Sequence, residues 1–221
     1  MGSRGAGSGR TGAKITSFSD GNTTIDLSES PLVYGERDKA LTGKAREAIE
    51  NFENRRYKNK IEFSTFVTED GSVIEENRGG RGSVGASYLA RKTADAMSHN
   101  HPRPEGVLGG TFSTGDMSNF VQYKQHTYRA TAKEGTYSIS KGKNFDGKNF
   151  LSAFKKAESE ITKAAQNEFD SLNSKVRTGA LSYEQAVKKG AIANNKMLVG
   201  LHDWFLKNQK KYGYTYTLEK R

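Results

Sequence analysis

The chain of 221 residues contains no cysteine. This absence excludes disulfide bonds, thiolate zinc fingers, iron–sulfur clusters and a cysteine nucleophile. A transition metal would have to be held by histidine and carboxylate side chains. A reducing cytoplasm is compatible with this composition, because the fold cannot depend on disulfides. Any such metal site of this protein therefore draws on its four histidines and its acidic residues.

Hydrophobic residues are also scarce, at 33% of the chain, and the mean hydropathy is −0.79. No apolar stretch approaches the roughly 20 residues that a bilayer crossing needs, so the sequence does not predict an integral membrane protein. The first residues lack the apolar segment of a secretory signal peptide. Lys and Arg number 35 against 25 Asp and Glu, and the resulting net charge of +10 favours polyanionic partners.

Composition divides the chain into three predicted regions. Residues 1–34 begin with a run of Gly, Ser and Arg and stay polar, which predicts a flexible leader. Residues 35–146 mix helical and strand patterns, which predicts an α+β domain with a mixed β-sheet flanked by helices. Residues 147–221 carry fourteen Lys and Arg against seven Asp and Glu, and we predict a basic α-helical extension there.

Hydrophobic periodicity and turn residues predict the individual elements. Helices are predicted over 36–57, 114–124, 150–172 and 183–210, strands over 61–68, 72–76 and 94–98, and a hairpin over 126–141, while 84–92 fits either a helix or a strand. Two helix starts have the spacing of a capping box, Ser113 with Asp116 and Ser182 with Gln185.

Two of the four histidines, His99 and His101, stand one residue apart at the predicted end of a strand. Side chains at i and i+2 of a strand point to the same face, so both imidazoles can approach one cation. Asp116 follows in the first turn of a predicted helix, where the helix dipole favours an ionised carboxylate. Two imidazoles, one carboxylate and an open fourth position are a usual protein contribution to catalytic zinc, so we predict Zn²⁺ on these three residues.

The order H-x-H-P at 99–102, S-x-x-D at 113–116 and a glutamate on an upstream strand resembles the JAB/MPN (JAMM) metalloprotease family. The H-N-H-P spelling is closest to the RadC-like and bacteriophage head- or tail-associated branches. The resemblance covers about residues 55–142. It implies that His99, His101 and Asp116 are the zinc ligands. It also implies that Glu62 moves a proton from the attacking water to the leaving amine, and that Ser113 donates a hydrogen bond to the tetrahedral intermediate.

The chain departs from the family pattern at two points. Eleven residues, 102–112, separate His101 from Ser113, where the better-known members have seven. A longer loop there would alter the substrate cleft without moving the ligands. The assignment of Glu62 also has alternatives nearby, namely Glu69, Glu75 and Glu76.

The resemblance implies a zinc-dependent hydrolase of peptide or isopeptide bonds, encoded by a phage or prophage. The alternative is a phage structural or head-assembly protein that keeps the JAB fold without needing catalysis. The expected partners are a protein substrate or virion proteins, with weak nucleic-acid contact through the basic C-terminal helices and no membrane contact. The expected location is the bacterial host cytoplasm or the virion.

Overall fold

A computed structural model describes residues 14–19, 24–28 and 31–221 of the chain. Residues 1–13 of the predicted leader lie outside the described residues. The strands are β1 (Lys14–Ile15), β2 (Ser17–Ser19), β3 (Thr24–Asp26), β4 (Leu32–Val33), β5 (Phe63–Val67), β6 (Val73–Arg78), β7 (Ala96–Asn100), β8 (Thr127–Thr131), β9 (Thr136–Lys141) and β10 (Tyr214–Glu219). The helices are α1 (Gly43–Arg56), α2 (Tyr88–Thr93), α3 (Thr114–Gln122), α4 (Gly147–Arg177) and α5 (Tyr183–Tyr212).

Six strands form one mixed sheet in the order β10-β9-β8-β7-β5-β6. Neighbouring strands are antiparallel except β7 and β8, which are parallel. Parallel neighbours need a crossover connection, and the segment that contains α3 supplies it. The predicted α+β class with a mixed sheet is therefore confirmed.

The two faces of the sheet differ in chemistry because successive side chains of a strand alternate between them. One face carries buried aromatic and aliphatic side chains of β8, β9 and β10. Helices α4 and α5 pack on it through fully buried rings, among them Phe150, Phe154 and Phe205. The other face carries Ser, Thr, Arg and Glu side chains, and α1 covers part of it with Ile49 and Glu53.

The C-terminal third differs from the predicted helical extension. The alternating sequence YTYTLE forms β10, which pairs with β9 at the edge of the sheet. Gly213 ends α5 with a left-handed φ of 71°, a conformation that glycine adopts without steric cost. Because Tyr214, Tyr216 and Leu218 are buried in the same core as Phe150, residues 147–221 complete the central sheet and its core.

The described part of the predicted leader also differs from a solvated tail. Ile25, Leu27 and Leu32 are buried in the main hydrophobic core. Two small antiparallel pairs, β1 with β4 and β2 with β3, order this segment. The polar composition of residues 14–34 concealed these contacts, since three apolar side chains are enough to fix so short a segment on a large core.

Several element boundaries shift relative to the sequence prediction. Helix α1 begins seven residues later than predicted, because residues 36–38 lie beside β10 and residues 39–41 form bends. Residues 84–92 resolve into a loop followed by α2, and the predicted strand 94–98 lies two residues further on as β7. Both predicted capping boxes are present. No helix in the described part of the chain combines the length and apolarity needed to cross a membrane.

Candidate metal centre

The structure brings the two imidazoles of His99 and His101 together. His99 lies in β7 opposite Ala130 of the parallel strand β8, and the backbone of His101 continues that ladder by donating its N–H to the Thr131 carbonyl. Both side chains therefore point to the same face of the sheet. Their Nε2 atoms are 2.8 Å apart, close enough to bind one cation together.

Asp116 reaches the same point from the first turn of α3. Its Oδ1 lies 3.3 Å from the Nε2 of His99, and its Oδ2 lies 3.9 Å from the Nε2 of His101. Ser113 at the N-cap fixes this carboxylate, because its backbone N–H and its hydroxyl both donate to Oδ2, at 2.8 and 2.7 Å. The Asp116 N–H donates in return to the Ser113 Oγ, which completes the capping box.

These three side chains could hold a metal ion. Ligand bonds of about 2.0–2.2 Å in a tetrahedral zinc site place neighbouring ligand atoms roughly 3.3–3.6 Å apart. The observed separations of 2.8, 3.3 and 3.9 Å lie on both sides of that value. Nitrogen and carboxylate donors also suit several other divalent metals, so the geometry supports a metal without selecting one.

The protonation states of the three side chains near neutral pH favour metal coordination. Burial lowers the pKa of His99, and burial together with the neighbouring His99 lowers the pKa of His101 to about 4. Burial acts to raise the pKa of Asp116, but the positive charge of the two imidazoles when they are protonated and the hydrogen bonds from Ser113 outweigh it, and the pKa is lowered. Near neutral pH the imidazoles are therefore neutral and the carboxylate is charged, which is the form that binds metals.

The orientation of His101 is set by a loop that a buried carboxylate holds in place. The Nδ1–H of His101 donates to the Gly110 carbonyl at 3.0 Å, which leaves Nε2 without a proton. Glu134 is buried and accepts the backbone N–H groups of Gly109 and Gly110, at 3.1 and 2.8 Å. Gly110 has a φ of +81°, where a side chain would be strained and would meet Leu198. The predicted site did not include Glu134, Gly109 or Gly110.

Glu62 lies beside the metal ligands, immediately before β5. Its backbone donates to the Gly80 carbonyl and accepts from the Gly79 N–H, so the pairing of β5 with β6 extends to this residue. The side chain lines the cleft that contains the metal ligands. Burial and then the charge of Asp116 raise the pKa of Glu62 to about 7, while Arg103 acts to lower it.

The structure separates Glu62 from the alternative glutamates. Glu69 is exposed, Glu75 accepts from the Ser87 N–H at the start of α2, and Glu76 pairs with Arg55 and Arg56. None of these three lines the cleft that holds the metal ligands. Among the glutamates that the sequence left open, Glu62 is therefore the one placed to act there.

We refer to this cleft, about 540 Å³ in volume, as the metal-side cleft. The C-terminal helices form one of its walls, through Glu158 and Thr162 of α4 and Leu198 and Leu201 of α5. Glu158 also accepts the backbone N–H of Thr114 at 2.9 Å and its hydroxyl, which anchors the start of α3 on α4. The helices that the sequence set apart from the domain thus shape the site.

The loop of residues 102–112 also depends on these helices. Asn195 of α5 is buried, accepts the Leu108 N–H at 2.9 Å and donates to the Gly106 carbonyl at 3.1 Å. The side chains of Leu108 and Phe112 are fully buried in the main core. The loop is therefore anchored at its second half, next to the Gly110 carbonyl that orients His101.

Comparison with protein-family models, with curated proteins and with solved structures finds no match to this chain.

Proposed function

We propose that this protein is a zinc-dependent hydrolase of peptide or isopeptide bonds, with a JAB/MPN-like domain of phage or prophage origin. The observation that carries the proposal is the convergence of His99, His101 and Asp116 in one cleft beside a buried glutamate, Glu62. The order of these residues along the chain agrees with the motif of that family. Zinc on the three ligands would supply Lewis acidity and would lower the pKa of a water molecule towards about 7.

Glu62 has the properties of a general acid/base. A catalytic carboxyl group works best when its pKa lies near the working pH, because both of its protonation states are then accessible. Burial and Asp116 raise the pKa of Glu62 to about 7. Glu62 can therefore accept a proton from the attacking water and release it to the departing amine within one cycle.

Ser113 contributes through the position of Asp116. Its hydroxyl proton is directed to the Asp116 Oδ2, and its Oγ accepts the Asp116 N–H. These bonds fix the carboxylate relative to the two imidazoles. The family resemblance gives Ser113 a second role, donation to the oxyanion of the tetrahedral intermediate, which requires the hydroxyl to rotate away from Asp116.

Metal analysis of the purified protein tests the metal claim. We expect about one zinc per chain in the wild type and its loss in His99→Ala and His101→Ala, since each removes one ligand. His126→Ala is the matched control, because this histidine is exposed and lies outside the cluster. Equal metal content in all four proteins would refute the assignment of the ligands.

Cleavage assays test the hydrolase claim. We expect the zinc-loaded protein to cut an unstructured polypeptide or an isopeptide-linked conjugate, a chelator to stop the cleavage, and added zinc to restore it. A protein that binds zinc through the three ligands but cuts neither substrate class would contradict the hydrolase. That result would favour the structural phage protein that keeps the fold for binding.

A further inference from the structure

A second cleft, of about 500 Å³, adjoins the metal-side cleft. His101 and Arg103 line both clefts, so the two spaces meet at the start of the loop of residues 102–112. A substrate held at the metal ligands can extend past Arg103 into this second space. Part of its wall is apolar, from Tyr57, Pro102 and Pro104.

The two clefts differ in the balance of their charged side chains. Lys58, Lys60, Arg81, Arg103 and Lys133 line the second cleft, and Glu105 is the one acidic residue among its lining residues. We call it the basic cleft. The metal-side cleft, in contrast, is lined by three carboxylates, those of Glu62, Asp116 and Glu158, and by two guanidinium groups, those of Arg91 and Arg103.

We propose that the basic cleft binds a carboxylate-rich segment of the polypeptide substrate, so that the enzyme acts beside acidic stretches of its target. Cleavage beside the acidic stretch rests on the proposed hydrolase function, whereas binding of the acidic segment to the basic cleft does not. Five cationic residues around one concave space offer charge-assisted hydrogen bonds to Asp and Glu side chains. The apolar wall accommodates the backbone and the aliphatic parts of such a segment.

A nucleic-acid strand fits this pair of clefts less well than an acidic peptide does. A phosphate backbone carries a negative charge at every nucleotide. Away from the metal ion itself, such a strand would place phosphates beside three carboxylates, those of Glu62, Asp116 and Glu158. These outnumber the two guanidinium groups of the metal-side cleft, those of Arg91 and Arg103, so like charges would repel. A polypeptide can carry its negative charges on one side of the scissile bond alone.

Fluorescence anisotropy on metal-free, full-length protein tests the binding. The probes are labelled peptides blocked at both ends, one rich in Glu and a matched one with Gln at the same positions, so that only side-chain carboxylates differ. The binding variant is Lys58→Gln with Lys60→Gln, both exposed residues. The matched control is Lys189→Gln with Lys207→Gln, which removes the same charge from exposed positions of α5 outside both clefts.

We expect the Glu peptide to bind more tightly than the Gln peptide and to weaken as salt is added. The Lys58/Lys60 variant should lose roughly fivefold or more of this affinity, from two partly exposed ion pairs, while the control keeps wild-type affinity. Equal binding of the two peptides, or equal affinity of the two variants, would overturn the proposal. Tighter binding of a single-stranded oligonucleotide with the same dependence on Lys58 and Lys60 would overturn it in favour of nucleic acid.

Peptide binding and peptide cleavage, measured on the same variants, separate this inference from the proposed function. If the Glu peptide binds through Lys58 and Lys60 but the zinc-loaded protein cuts nothing, the basic cleft stands and the hydrolase fails. If the protein cuts Glu and Gln peptides with equal KM and the lysine variant changes neither KM nor kcat, the hydrolase stands and the basic cleft fails.

Discussion

Two clusters of charged and polar side chains lie on opposite faces of the same sheet, and they differ in how their charges are satisfied. On the α1 face, Arg129 donates to both oxygens of Glu53 and to both oxygens of Glu219, at 2.7–3.1 Å. Arg46 adds a further bond to Glu219 at 2.6 Å. We call this set the Glu53–Arg129–Glu219 network. On the other face, the metal ligands direct two neutral nitrogens and a carboxylate at one another.

The difference indicates different roles. A buried charge is costly unless it is paired and hydrogen-bonded, and the Glu53–Arg129–Glu219 network meets both conditions with protein groups alone. In the metal ligands, by contrast, the Nε2 atoms of His99 and His101 lie 2.8 Å apart, and Asp116 receives its hydrogen bonds from Ser113 at Oδ2, so Oδ1 and the imidazoles can take up a cation. The network therefore serves the fold, whereas the metal ligands present a site that a cation would complete.

The largest effect expected from a single change is at Glu62. Replacement by Gln removes the proton carrier and keeps the shape, so we expect the rate of peptide cleavage to fall by roughly 10²–10⁴. Zinc content should not change, since Glu62 is not among the three ligands. The control is Glu69→Gln, an exposed glutamate outside the metal-side cleft. Wild-type cleavage by Glu62→Gln would remove Glu62 from the mechanism.

The second largest effect is expected in the Glu53–Arg129–Glu219 network. Arg129→Met leaves the carboxylates of Glu53 and Glu219 buried without their main cation, and breaking a buried pair in this way costs about 3–5 kcal/mol. We expect that loss in the free energy of unfolding measured with urea, and no change in zinc bound per folded chain. Arg37→Met, which removes an exposed partner of Glu50, should cost less than about 1 kcal/mol. Equal losses in both variants would show that the network is not a structural centre.

Local patterns in the sequence predicted much of this molecule. The spacing of His99 and His101 on a strand and the capping box of Ser113 and Asp116 are short-range features, because strand alternation and helix capping depend on a few neighbouring residues. The structure has both, and it brings the two histidines and Asp116 together.

Long-range contacts account for what the sequence did not reveal. Strand β10 pairs with β9, which lies more than seventy residues earlier in the chain. The alternating sequence of β10 directly follows the long helix α5, so it was included in the predicted helical extension. Glu134 supports the loop at Gly110 across twenty-four residues. Neither partner can be identified from spacing along the chain, since the fold alone brings them together. The family resemblance stays a prediction, because no compared protein matches the chain.

His202, a third histidine, is buried away from the metal ligands, and its pKa tests the effect of burial alone. His202 is fully buried, donates its Nε2–H to the Val33 carbonyl at 3.0 Å, and has its Nδ1 2.8 Å from the Tyr216 hydroxyl. Burial lowers its pKa to about 4. The unfolded chain, with a histidine pKa of about 6.5, therefore binds the proton more readily than the folded protein.

The stability that His202 contributes is consequently present above pH 6.5 and is lost as the pH falls towards 4. From this shift we expect a loss of roughly 2 kcal/mol between about pH 7.5 and 5, and of about 3 kcal/mol by pH 4. Urea unfolding at several pH values measures it, and His202→Gln should have a shallower dependence than the wild type. The same slope in both proteins would mean that His202 does not titrate on unfolding.

The smallest change in stability is expected when the N-cap serine of either capping box is replaced. Ser113→Ala and Ser182→Ala each remove an N-cap hydroxyl, which costs about 1 kcal/mol of unfolding free energy. The two variants should therefore be alike in stability. They should differ in zinc affinity, because the Ser113 hydroxyl also donates to the Asp116 Oδ2, and loss of such an outer partner weakens metal binding by about 10–100-fold. Titration with a competing chelator measures this affinity, and equal affinities would assign Ser113 to the helix alone.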